Sequence, residues 1–174
     1  SRWLRETHLS EAGWGTSRLI FLPIFLGSNN SGHWTSLIAD RTFLLPGLLV
    51  FSDSLLADTA AQNSNQVARA LENTPLLKEG HTWVNTNMID QAASSNDCAV
   101  FMLLTFAAYL LAMRDAPGGN MELPKSFSRI QISNRSLSAG EFGRMGRRHI
   151  YDSICAEKIN LDDQAIRDLR IAFT

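Results

Sequence analysis

This sequence has few cysteines and almost no net charge, and each of these absences argues against a kind of site or partner. The 174 residues include two cysteines, Cys98 and Cys155, which form neither a disulfide framework nor the ligand spacing of a zinc site. The 16 basic and 17 acidic residues give a net charge of -1, so the composition provides no electrostatic basis for binding nucleic acid. We therefore expect no metal, no cofactor and no nucleic-acid partner.

Long hydrophobic runs are also missing. The most apolar stretch, which begins at Ala99, contains Thr105 and Tyr109 and falls short of the roughly 20 residues that span a bilayer. The start of the sequence does not have the form of a signal peptide. Hydrophobic residues make up 45% and charged residues 19%, as in ordinary globular proteins. With no repeat and no linker, we expect one domain over residues 1–174 and no membrane span.

Strand patterns come early in the chain and helical patterns flank them. Apolar and alternating runs predict strands at 18–26, 33–40, 47–54 and 82–88, the first being central in the sheet and bent at Pro23. Helices are expected at 3–10, 58–73, from 98 to about 114, from 138 to about 158, and at 161–173. This order predicts an α+β fold in which a small sheet packs against the helix that begins at Cys98.

That central helix follows a polar loop, residues 91–97, and is apolar on every face, which predicts burial all round. Asn96 and Asp97 are N-cap residue types whose side chains can accept hydrogen bonds from the first-turn amides. A thiol at Cys98 would lie at the positive end of the helix dipole, which favours the reactive thiolate. The alternative is a buried, inert thiol.

A cysteine nucleophile needs a base and a group that orients the base. His33 precedes one apolar strand and Asp53 ends the next, so the two meet at one edge of the sheet if the strands are neighbours. Gln91 could join the Cys98 amide as an oxyanion donor. Taken singly, His33 also reads as a surface residue and Asp53 as a turn cap, and other histidines are candidate bases: His8, His81 and His149.

The ordered set resembles the ubiquitin-like-protein proteases, the Ulp/SENP group of cysteine peptidases. The motifs are the Pro23-containing strand, His33-Trp34, the strand end Phe51–Ser54, Gln91, and Asn96-Asp97-Cys98, and they span roughly residues 18–111. The helix with Arg144, Arg147 and Arg148 is weakly similar to the end of the family's domain.

The resemblance implies a papain-like fold and a role for each matching residue. Cys98 would be the nucleophile, His33 the general base, Asp53 the residue that orients it, and Gln91 the support of the oxyanion. Trp34 would line a tunnel for a Gly-Gly tail, and Trp3 is a candidate for its second wall. The implied reaction is hydrolysis after the Gly-Gly terminus of SUMO, ubiquitin or another ubiquitin-like modifier and its conjugates.

Two departures from the family pattern stand out. Ala99 follows the nucleophile where the family has glycine, and only 32 residues precede His33, so we expect the N-terminal substrate-binding segment to be short or missing. The compact form resembles secreted bacterial effector members. The resemblance implies a monomer inside the cell, in the cytoplasm or nucleus, and in a host cell for an effector.

Two other functions remain open. One is acetyl transfer from acetyl-CoA, because the YopJ-type effectors resemble this family and carry a His, an acidic residue and a Cys in the same order. The other is a catalytically weakened domain that binds a modifier. The His33-Trp34 pair and the Asp53-Ser54 ending favour the protease.

Overall fold

Four strands and three helices make up the part of the chain that the structure describes, with three of the strands first. The computed structural model describes residues 19–28, 31–41, 47–74, 80–87, 91, 95–115 and 139–161. The elements are β1 Leu19–Ser28, β2 Ser31–Asp40, β3 Leu48–Asp53, α1 Ala57–Leu71, β4 Thr82–Asn87, α2 Cys98–Asp115 and α3 Ala139–Cys155. The predicted helix at 3–10, and all but the first residue of that at 161–173, lie outside these residues.

The sheet is small and mixed, with strand order β1-β2-β3-β4. β1 pairs antiparallel with β2, and β2 with β3, whereas β3 and β4 are parallel. The α+β architecture with a helix beginning at Cys98 is therefore confirmed. Among the described strands β1 lies at the edge, so its predicted central place is wrong. Pro23 explains why, since a proline has no amide hydrogen to donate to a second neighbour.

Helices cover both faces of the sheet. On one face Leu37, Leu49 and Phe51 pack with Val67 and Leu71 of α1. Residues of the alternate register, including Ile38 and Val50, pack on the other face against α2, where Phe101, Leu104 and Tyr109 are buried. Because β3 is buried on both faces, its sequence reads as a continuous apolar run rather than an alternation.

Helix α2 is the core helix of this fold. By length and composition alone it could cross a membrane, since its 18 residues have a mean hydropathy of 1.6. A buried core helix passes the same test, so this is weak evidence for a span. The predicted burial all round is not fully met, because Leu103 is 43% exposed beside the groove between α2 and α3.

Candidate active site

His33 and Asp53 meet at the end of the sheet where β2 begins and β3 ends. The antiparallel register aligns Ser36 with Ser52, so His33 and Asp53 have the same side-chain parity and lie on the α1 face. His33 Nε2 lies 2.6 Å from Asp53 Oδ1, with the carboxylate fully buried and the imidazole 13% exposed. The predicted meeting of these two residues is confirmed. His33, expected at the junction of loop and strand, is the third residue of β2.

Three donors hold the carboxylate of Asp53. Besides His33, the Leu55 amide donates to Oδ1 at 2.9 Å and the Asn63 side chain donates to Oδ2 at 2.8 Å. Burial by itself would raise the pKa of Asp53, but hydrogen bonds from His33, Asn63 and Leu55 together lower it below the ordinary value of 3.8. Asp53 is therefore an anion at neutral pH despite its burial.

The ionised carboxylate decides which nitrogen of His33 carries the proton. A carboxylate anion can only accept hydrogen bonds, so Nε2 of His33 must donate to Asp53. In the neutral ring Nδ1 is then the unprotonated nitrogen. Among the described residues Nδ1 has no hydrogen-bond partner. His33 thus presents an unprotonated Nδ1, and the hydrogen bond from Nε2 to Asp53 fixes this tautomer of the ring.

Gln91 joins the end of β3 to the loop before Cys98. Its backbone amide donates to the Ser54 carbonyl at 2.7 Å, and its Oε1 accepts the Ser54 hydroxyl at 3.0 Å. Its Nε2 donates to the Ser95 carbonyl at 3.3 Å, and because a carbonyl only accepts, the amide nitrogen must face this loop. Gln91 therefore lies between the residue that follows Asp53 and the residue three positions before Cys98.

Cys98 is the first residue of α2, as predicted, and its thiol is half-buried. One turn later, Phe101 and Met102 line a narrow cleft with Trp34, Ser52 and Asp53. The first turn of α2 therefore lies at the same end of the sheet as the His33–Asp53 pair. Among the described residues no hydrogen bond joins Cys98 to His33.

The predicted capping of α2 by its own loop is wrong for Asp97. Its carboxylate pairs with Arg147 of α3, and among the described residues no first-turn amide donates to it. Asp97 still contributes its carbonyl, which accepts the Phe101 amide at 2.9 Å and begins the helical ladder. Ala99, half-buried, occupies the second position of this first turn as a helical residue.

Of the two tryptophans predicted to line the tunnel, Trp34 is among the described residues and Trp3 is not. Trp34 is half-buried on the α2 face of β2, and its ring centroid lies 5.1 Å from that of Phe25, at 55°. Phe25 itself is 44% exposed, so the pair forms an aromatic surface on the face of the sheet opposite to the His33 side chain. Trp3 lies outside the described residues, and its predicted role stays a prediction.

The sequence reading missed Asn63, Ser54 and Arg147. Asn63 had a signal, because it stands four residues before Val67 and eight before Leu71, on the stripe of α1 that faces the sheet. Ser54 and Arg147 stand in stretches quoted for the family resemblance, but no pattern gave their partners, which come from other parts of the chain. Within the described ranges, no group of three His, Cys, Asp or Glu side chains is arranged to hold a metal ion.

No family model and no curated protein sequence matches this chain. We therefore infer function from the geometry of the site and from the motifs of the sequence.

Proposed function

We propose that this chain is a cysteine peptidase of the ubiquitin-like-protein protease type, with a papain-like fold, that cleaves after the Gly-Gly terminus of SUMO or ubiquitin. The observation that carries the proposal is the His33–Asp53 pair, in which a buried anion fixes the base tautomer next to the first turn of the Cys98 helix. The order of motifs, His33-Trp34, Asp53-Ser54, Gln91 and Asp97-Cys98, supports the choice of family.

The reaction begins with proton transfer from the Cys98 thiol to Nδ1 of His33. The thiolate then attacks the carbonyl carbon of the terminal glycine, and the carbonyl oxygen becomes an oxyanion. The Cys98 backbone amide and the Gln91 side chain supply hydrogen bonds to that oxygen. Gln91 suits this role because Ser54 and Ser95 fix its amide and turn its nitrogen toward the Cys98 loop.

Collapse of the intermediate breaks the carbon–nitrogen bond and leaves a thioester on Cys98. The departing amine takes its proton from the His33 imidazolium, whose positive charge the Asp53 carboxylate stabilises until that transfer. Water then gives a proton to Nδ1 and attacks the thioester through a second oxyanion. Collapse of this second intermediate breaks the carbon–sulfur bond, and the His33 imidazolium returns a proton to the Cys98 sulfur. The products are a free glycine carboxylate and the regenerated thiol.

For this reaction the thiol and the imidazole would have to meet around the end of the sheet, because α2 packs on one face and His33 lies on the other. A catalytic hydrogen bond of this kind often tightens only when substrate closes the site. Substrate selectivity would come from the Trp34–Phe25 surface, because glycine has no side chain to collide with aromatic rings at close range.

The test is covalent capture by SUMO and ubiquitin that carry a thiol-reactive group at the C-terminus. We expect one probe to label the wild type but not Cys98→Ala. The matched control is Cys155→Ala, which lacks the exposed cysteine and should be labelled like the wild type. Labelling that persists in a folded Cys98→Ala variant would overturn the assignment.

The same probes, together with acetyl-CoA, separate the protease from an acetyltransferase and from a modifier-binding domain. If the folded wild type resists both probes but acquires an acetyl group on Cys98 from acetyl-CoA, the protein is a transferase. If it binds a modifier without reacting, it is a binding domain.

A further inference from the structure

An ion pair from α3 holds the residue immediately before Cys98. Arg147 of α3 pairs through its guanidinium with the Asp97 carboxylate, whose side chain is 7% exposed while that of Arg147 is 52% exposed. The partners are 50 residues apart in sequence, so α3 reaches the start of α2 from a distant part of the chain. None of the roles assigned above uses Arg147.

Two glycines allow this close approach. A Cβ at Gly143 would collide with the Asp97 carboxylate, and one at Gly146 would lie 2.6 Å from both Val100 Cγ1 and Leu104 Cδ1. Gly143 and Gly146 are three residues apart, so they share one face of α3. That face lies directly on the first two turns of α2 and holds the guanidinium at the helix start.

The ion pair changes the electrostatics at Cys98. An N-cap aspartate ordinarily accepts hydrogen bonds from the second or third amide of its helix, which places a negative charge at the positive helix end. Here Asp97 faces Arg147 instead, and within the described residues the amides of Cys98, Ala99 and Val100 donate no hydrogen bond to the Asp97 carboxylate. Among the described residues, therefore, no carboxylate caps the positive end of α2, and the Asp97 carboxylate is balanced by a cation.

We propose that Arg147 is a positioning residue for Cys98: it draws the Asp97 carboxylate away from the first turn of α2 and neutralises it, so that the thiolate and the oxyanion can use the helix end. The inference rests on the proposed function, since it assigns Arg147 to the reaction of Cys98. Without Arg147, the carboxylate would cap the first-turn amides and repel a negative charge on the adjacent residue.

The test measures thiol reactivity directly and needs no modifier. Alkylation of the native protein by iodoacetamide is followed separately at Cys98 and at the exposed Cys155, which reports general conditions within the same sample. In Arg147→Met we expect the rate at Cys98 to fall roughly five- to tenfold, the size of a screened charge effect near a protein surface. The rate at Cys155 should stay unchanged.

Arg148→Met is the matched control. Arg148 is the next residue of α3, but it is 75% exposed and pairs with Asp152 at 2.9 Å on the outer side of the helix. Its loss should leave alkylation of Cys98 at the wild-type rate. Arg147→Lys, which keeps the charge, should retain most of the reactivity.

A double variant distinguishes this role from a merely structural one. If Arg147 acts by restraining the Asp97 carboxylate, removing that carboxylate in Asp97→Ala/Arg147→Met should restore alkylation of Cys98 toward the wild-type rate. A purely structural role predicts a double variant at least as slow as Arg147→Met. That result, or an unchanged rate in folded Arg147→Met, would overturn the inference.

The outcome is independent of the substrate assignment. Failure of the SUMO and ubiquitin probes with a positive alkylation result would reject the proposed function alone. Successful probe labelling with unchanged alkylation in Arg147→Met would reject the role of Arg147 alone.

Discussion

Strand β2 carries a buried polar pair near each end, and the two pairs differ in what they leave accessible. Near its start, His33 bonds Asp53 at 2.6 Å and keeps 13% of its side chain exposed. At its end, the Tyr109 hydroxyl donates to Asp40 Oδ2 at 2.5 Å, and both residues are at most 1% exposed. The first pair borders a cleft, whereas the second is sealed between sheet and helix.

The two pairs also differ in the protonation of their members. Burial raises the pKa of Tyr109 far above its usual range, and the Asp40 carboxylate raises it further, so the hydroxyl stays a fixed donor. Asp53 is held as an anion by three donors and fixes the tautomer of a histidine whose Nδ1 has no partner among the described residues. A sealed pair can thus join β2 to α2, whereas a pair that borders a cleft can reach a substrate.

The largest expected effect that sharpens this contrast comes from Asp53→Asn. An asparagine can donate to Nε2 of His33 and so favour the tautomer in which Nδ1 carries the hydrogen and cannot act as a base. We expect kcat for cleavage of a modifier C-terminal amide to fall about 10²- to 10⁴-fold, with KM little changed. Wild-type kcat in a folded Asp53→Asn protein would remove Asp53 from the mechanism.

Tyr109→Phe should show the opposite pattern. It removes the donor to Asp40 Oδ2 while preserving the ring, and loss of a buried hydrogen bond costs about 1–3 kcal/mol of unfolding free energy. Urea denaturation should report this loss, and kcat should stay at the wild-type value where the variant is folded. A large fall in kcat without a change in stability would erase the distinction between the two pairs.

The smallest expected effect is on how the free energy of unfolding depends on pH in acid. Since the folded-state pKa of Asp53 is lowered from 3.8, its contribution to stability is fully present above that value and is lost as pH falls through the lower folded pKa. Between pH 6 and pH 3, the free energy of unfolding should therefore fall more steeply for the wild type than for Asp53→Asn. Parallel curves would show that the donors around Asp53 do not favour its charged form.

Local patterns were sufficient to predict most elements and one tertiary contact. The sheet strands, α1 and the start of α2 were expected within a few residues, because apolar periodicity and polar breaks mark them. The prediction that His33 meets Asp53 succeeded because β2 and β3 are consecutive apolar strands, which usually pair. The first two strands were predicted at 18–26 and 33–40, yet β1 extends to Ser28 and β2 begins at Ser31.

What the sequence could not supply are contacts between distant segments. The edge position of β1 depends on which strands pair, and Pro23 was a signal that the prediction of a central strand overlooked. The partner of Asp97 comes from α3, 50 residues later, and no periodicity encodes that distance. The N-cap preference considers one helix alone, so it assigned the Asp97 carboxylate to the amides of α2, although that carboxylate pairs with Arg147 of α3.

The most direct test of the account is turnover of a fluorogenic amide at the C-terminus of SUMO or ubiquitin by the wild type, His33→Ala and Tyr109→Phe, at a temperature where all three are folded. We expect turnover by the wild type, a loss of at least about 10³-fold in His33→Ala, and wild-type rates in Tyr109→Phe. Turnover that survives in His33→Ala, or no turnover by the folded wild type, would contradict it.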